Sequence, residues 1–133
     1  MKRSKVEFSS HTANLALLRK CVRDFLNGYP FSEKERMFMV LGVDEACTNV
    51  IRYAYRLRDD RPISLRMEGL RTCVRMRLRD YGEKVFPHQL KGRSPDLIKP
   101  GGLGLHLIRF AFDEVSYVPK RRGTELVLTK KLE

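Results

Sequence analysis

Two short stretches in the middle of the chain alternate between apolar and charged or polar residues. Ile63, Leu65 and Met67 alternate with Ser64, Arg66 and Glu68; after a turn containing Gly69, Val74, Met76 and Leu78 alternate with Arg75, Arg77 and Arg79. Successive side chains of a strand point to opposite faces, so the pattern predicts an antiparallel hairpin with one apolar and one charged face. Such a hairpin cannot bury its apolar face alone and requires a covering layer. Its other face is open to water and would gather Arg66, Arg75, Arg77 and Arg79.

The cover is supplied by helices. Leu15, Leu18, Val22, Phe25 and Leu26 recur at three and four residues between Thr12 and Asn27, and Asn27-Gly28 with Pro30 closes that segment. Ser32-Glu33-Lys34-Glu35 is a capping box, a serine at the cap and a glutamate three residues on. It opens a second helix to about Tyr55, with Val40, Val43, Cys47, Val50 and Ala54 along one stripe. Lys5 to Phe8 suits a short strand. A last hairpin joins Val115–Val118 to Thr124–Lys130 through Lys120-Arg121-Arg122-Gly123. The order β-α-α-β-β-loop-α-β-β does not alternate strictly. It predicts one α+β domain over residues 1–133: a two-layer sandwich with a mixed, mostly antiparallel sheet and helices on one face.

The chain has 133 residues, with 27 lysines and arginines against 16 acids, a formal charge of +11. That field favours anionic partners without naming one: nucleotide, nucleic acid, acidic protein or anionic membrane. No stretch approaches the roughly 20 apolar residues of a membrane span, and the basic N-terminus leads into no apolar segment, so neither a span nor a secretory signal is expected. Cys21, Cys47 and Cys73 form no C-x-x-C pair, and each lies in a periodic segment. Buried, reduced thiols in a cytoplasmic protein are the expectation.

Four places can carry chemistry. Glu45 and Asn49, four residues apart, share a helix face beside Gly42 and Ala46. A carboxylate and a carboxamide together could serve as base and metal ligand; by periodicity alone they are a solvated face. Asp80-Tyr81-Gly82 ends a strand and alone reads as a turn. Asp80 to Pro100 then lacks any period, and a loop that long in a small domain is usually functional or disordered. It ends in Gly101-Gly102-Leu103-Gly104, which opens a helix; glycines and free helix N–H groups suit a phosphate. Gly123-Thr124 precedes the last strand. Lys91, Arg93 and Lys99 could neutralise phosphates or simply be solvated.

Taken in order, these segments resemble the GHKL (Bergerat-fold, histidine-kinase-like) ATPases. Val43-Asp44-Glu45-Ala46-Cys47-Thr48-Asn49, Gly102-Leu103-Gly104-Leu105 and Asp113-Glu114-Val115 are most similar to the anti-sigma-factor serine/threonine kinase branch. The resemblance implies an ATP site between helices and sheet. In it Asn49 holds Mg²⁺, Glu45 is the catalytic carboxylate, Asp80 accepts from the adenine amino group, Gly82, Gly102 and Gly104 surround the nucleotide, and Thr124 lies near the base. It also implies a homodimer that binds a sigma factor and phosphorylates a serine on an antagonist protein. Two positions depart from the family pattern. Lys84 stands where the first glycine box, D-x-G-x-G, has its second glycine, although Val85-Phe86-Pro87 fits a D-x-G-x-x-F-x-P variant. Tyr53 stands where relatives often have histidine.

Two other readings compete. One is an ATP-binding or nucleotide-independent switch without transfer activity, suggested by Lys84. The other is a nucleic-acid-binding domain, suggested by the charge; the arginine strand interleaves no aromatics for base stacking, which counts against it. An acidic protein surface is the partner expected at the arginine face or near Lys120, Arg121 and Arg122, set against a basic surface that is merely solvated.

Overall fold

The computed structural model describes residues 2–84 and 101–133. Five strands form one sheet: β1 (Arg3–Ser9), β2 (Pro62–Gly69), β3 (Cys73–Asp80), β4 (Glu114–Pro119) and β5 (Thr124–Lys131), in the order β1-β2-β3-β5-β4. Every pairing among the described residues is antiparallel, in keeping with the mostly antiparallel sheet expected from the sequence. Among the described residues three α-helices cover one face: α1 (Leu15–Leu26), α2 (Glu33–Asn49) and α3 (Gly101–Ala111).

Local chemistry explains the element ends. The Ser32 side chain accepts from the Glu35 N–H at 3.0 Å, and the Glu35 carboxylate accepts from the Ser32 N–H at 2.9 Å, closing the capping box. Thr12–Asn14 forms a 3-10 turn rather than the first turn of α1, with the His11 side chain accepting from the Ala13 N–H. At its far end α2 runs on into a π-helical turn, Val50–Ala54. Arg56 and Leu57 follow with left-handed φ of 49° and 65°, which ends the helix without a glycine.

The core lies between the layers. Leu18, Val22 and Leu26 of α1 and Met39, Val43 and Cys47 of α2 are fully buried together with Leu65, Met67, Met76 and Leu128 of the sheet. Gly42 lets α3 close on α2: a Cβ there would lie 3.2 Å from the Ala111 Cβ and 3.3 Å from the Phe112 ring. Cys47 and Cys73 are buried, and burial pushes the Cys47 thiol up to about 12. None of the three cysteines is in a disulfide. No helix among the described residues is long and apolar enough to cross a membrane.

The open sheet face departs from the expectation of a bank of available arginines. Arg77 pairs with Glu68 at 3.3 Å and Glu125 at 3.4 Å, and Arg75 donates to the Thr129 hydroxyl at 3.3 Å. Antiparallel register places acids of β2 and β5 beside the arginines of β3, and cross-strand pairing consumes much of the charge.

Candidate functional site

The end of β3 meets the end of α2, and a pocket opens between them. It is lined by Ala46, Asn49, Val50 and Ala54 from the helix, Asp80 and Glu83 from β3 and its continuation, and Tyr117, Thr124 and Leu126 from β4 and β5; its volume with the open mouth is about 430 Å³. The β3–β5 register, Asp80 opposite Thr124, brings two segments distant in sequence to one rung.

Asp80 is buried, only 4% exposed. Its Oδ1 accepts from the Gly82 N–H at 2.9 Å, and burial raises its pKa against the partial relief of the Gly82 and Thr124 N–H groups and Arg79. A buried carboxylate with acceptor capacity to spare suits an N–H donor on a ligand. Gly82 is required by crowding: a Cβ would come within 2.4 Å of the Ala54 carbonyl oxygen. Gly123, at φ +74°, has the same role across the ladder, with the Asp80 carbonyl oxygen 2.1 Å from any Cβ.

Asn49 and Glu45 do not sit on a solvated face. Both are half-buried, and both amide heteroatoms of Asn49, Oε2 of Glu45 and Oγ1 of Thr124 are buried with no hydrogen-bond partner among the described residues. Leaving a buried polar atom unpaired costs about 1–3 kcal/mol. Among the described residues there are four of them, three on residues that line the one pocket, which leaves donors and acceptors for a ligand to pair. The carboxyl of Glu45 is raised by burial and by Asp44, with Arg52 opposing. Glu45 stands one helical turn before Asn49 and does not line the pocket itself.

Gly102 and Gly104 lie in the first turn of α3. Lys84 is exposed just past the pocket. Lys91, Arg93 and Lys99, and the rest of the loop over 85–100, lie outside the described residues. The donor set suits Mg-ATP. Asn49 offers a neutral oxygen of the kind Mg²⁺ accepts while phosphates and waters fill the other positions. No cluster of three His, Cys, Asp or Glu able to hold a metal by itself exists among the described residues.

Tyr55 escaped the sequence reading. Its hydroxyl donates to the Pro62 carbonyl at 2.6 Å and accepts from the Tyr81 N–H at 2.7 Å, tying the helix end to β2 and to the chain after Asp80. The Glu83 N–H adds a bond to the Ala54 carbonyl at 2.9 Å. A lone tyrosine at a helix end carries no pattern that would have marked it.

A pocket with a buried aspartate and a carboxamide unpaired among the described residues, set between a helical layer and an antiparallel sheet, is the arrangement expected of a histidine kinase-like ATPase. The family model described as the histidine kinase-like ATPase domain matches residues 8–130, and the chain belongs to that family. It is similar to the serine-protein kinase RsbW of Bacillus subtilis, 29% identical over 113 residues covering 79% of this chain and 69% of the relative. RsbW of Bacillus licheniformis is 30% identical over the same shares. RsbW of Staphylococcus aureus strain MRSA252 is 30% identical over 103 residues, 70% of this chain and 64% of the relative. Among solved structures, the RsbU and RsbW domains of Rv1364c from Mycobacterium tuberculosis superpose with a TM-score of 0.67 at 15% identity, over 98% of this chain and 32% of that one.

Proposed function

We propose that this protein is an ATP-dependent serine/threonine protein kinase of the anti-sigma-factor type, which binds a sigma factor in one state and phosphorylates an antagonist protein in another. The observation that carries the reading is the set of buried polar atoms on Asn49, Glu45 and Thr124, unpaired among the described residues, beside the Asp80 carboxylate. A cytoplasmic homodimer belongs to the same reading.

In this proposal Asp80 accepts from the adenine amino group and Thr124 flanks the base. Gly82 keeps the backbone close, Gly102 and Gly104 border the nucleotide, and Asn49 Oδ1 holds the metal. Bound Mg-ATP supplies the phosphoryl group and the divalent charge that neutralises it. Glu45 orients the attacking serine hydroxyl and takes its proton; a carboxylate raised by burial is a stronger proton acceptor than one in water.

The test is incubation with labelled ATP and candidate antagonists. Glu45→Gln should keep nucleotide binding and lose phosphoryl transfer. Transfer at the original rate would remove Glu45 from the chemistry. Lys84, in place of the box's second glycine, favours a second reading as an ATP-binding switch; ATP binding without transfer to any antagonist would support it.

A further inference from the structure

The strand that carries Asp80 inward carries Arg79 and Tyr81 outward, and two hollows flank Tyr81 there. One is lined by Arg56, Arg58, Arg61 and Arg122 with Glu83 as its single acid. The other, on the open sheet face, is lined by Lys5, Arg66, Arg77, Arg79 and Lys120 with Glu125 as its single acid. Tyr81 lines both and is 48% exposed. While Arg77 is spent on Glu68 and Glu125, Arg66 makes no ion pair among the described residues. Arg56 pairs with Glu83, Arg61 with Asp60 and Lys120 with Glu125, whereas Arg58 and Arg122 make no ion pair among the described residues. The Arg79 guanidinium lies 4.1 Å above the centre of the Tyr81 ring and donates to the carbonyls of Asp80 and Thr124.

We propose that this end of the sheet docks an acidic, extended segment of a partner protein, laid across Tyr81 with carboxylates in both hollows. Charge complementarity selects the occupant. The uncompensated cations are exposed and stand on both sides of a protruding ring, so a small anion reaches one hollow, whereas a chain of carboxylates reaches both and gains from the linkage. Nucleic acid would need an open aromatic face for its bases, and the described part of the surface offers one ring with a guanidinium already over it. The second hollow lies on the open sheet face, whereas the first shares Ala54 and Glu83 with the nucleotide pocket; the inference rests on the surface charge and not on phosphoryl transfer.

The probe is a fluorescein-labelled peptide of alternating glutamate and serine, followed by anisotropy on the full chain at low and at physiological salt. Inorganic pyrophosphate and a labelled oligothymidylate serve as comparison ligands. Arg58→Glu combined with Arg66→Glu should weaken the peptide at least about tenfold, since like charges facing a bound acid repel it. The charge-matched control is Arg71→Glu with Lys131→Glu at the far end of the sheet; all four positions are exposed. Melting curves establish that both doubles fold. Peptide binding lost in the first double and kept in the control is the expected result. No peptide binding, equal loss in both doubles, or oligothymidylate or pyrophosphate bound through Arg58 and Arg66 more tightly than the peptide would overturn it.

Discussion

Burial raises the pKa of both the Asp80 and the Glu45 carboxyl, so the folded protein holds their protons more readily than the unfolded chain does. The sign for stability follows. This contribution is present at low pH, where both carboxyls are neutral, and is lost as pH rises through the raised values. Asp80→Asn removes a buried charge and leaves an oxygen to accept from the Gly82 N–H. It should therefore raise the melting temperature of the nucleotide-free protein at neutral pH by a few degrees, roughly what 1 kcal/mol does in a domain of this size. The same substitution should abolish stabilisation by ATP, because an amide can present an N–H where the adenine amino group needs an acceptor. A variant melting below the parent at neutral pH would show that Asp80 is better compensated than its surroundings indicate. Scanning calorimetry across pH checks both halves.

Gly82 sits where β3 runs out against the end of α2. Gly82→Ala forces a methyl against the Ala54 carbonyl, which is backbone on an element that cannot easily yield. A loss of about 2–3 kcal/mol is expected, read as a lower midpoint in urea. Ser32→Ala opens the capping box of α2 and should cost about 1 kcal/mol by the same measurement. These elements were largely legible in the sequence. Alternation marked the hairpins, the 3.6-residue stripe carried α2 through Ala54, and Ser32 with Glu35 marked its start. The π geometry at Val50–Ala54 was not legible, because closing a turn with one more residue leaves the apolar stripe almost unchanged. The pairing of β3 with β5 was not legible either, since local periodicity assigns a face but no neighbour. Both gaps matter at the site. Asp80 and Gly123-Thr124 each read as a turn in isolation, and only the long-range register makes them one wall. The same missing register hid the neutralisation of Arg77. The roles proposed for Asn49 and Glu45 rest on resemblance, while the burial of their polar atoms, unpaired among the described residues, is visible only in the fold.

At the scale of the whole molecule, a ligand that binds only the folded state stabilises it by mass action. Mg-ATP at about a hundred times its dissociation constant contributes about 2.7 kcal/mol. Thermal unfolding should shift upward accordingly, and Asn49→Ala should remove the part that depends on Mg²⁺. An unaltered protein that does not respond to millimolar Mg-ATP would contradict the nucleotide site. The sheet also has a consequence for signalling. Asp80 and Thr124 look inward, and Arg79, which grips both of their carbonyls, looks outward, so one layer of backbone separates the two surfaces. If a docked chain and a nucleotide differ in how they hold Arg79 and Asp80, the coupling would run through that single layer of backbone. Whatever fraction of its affinity a docked chain loses or gains when nucleotide arrives, the nucleotide must lose or gain in return.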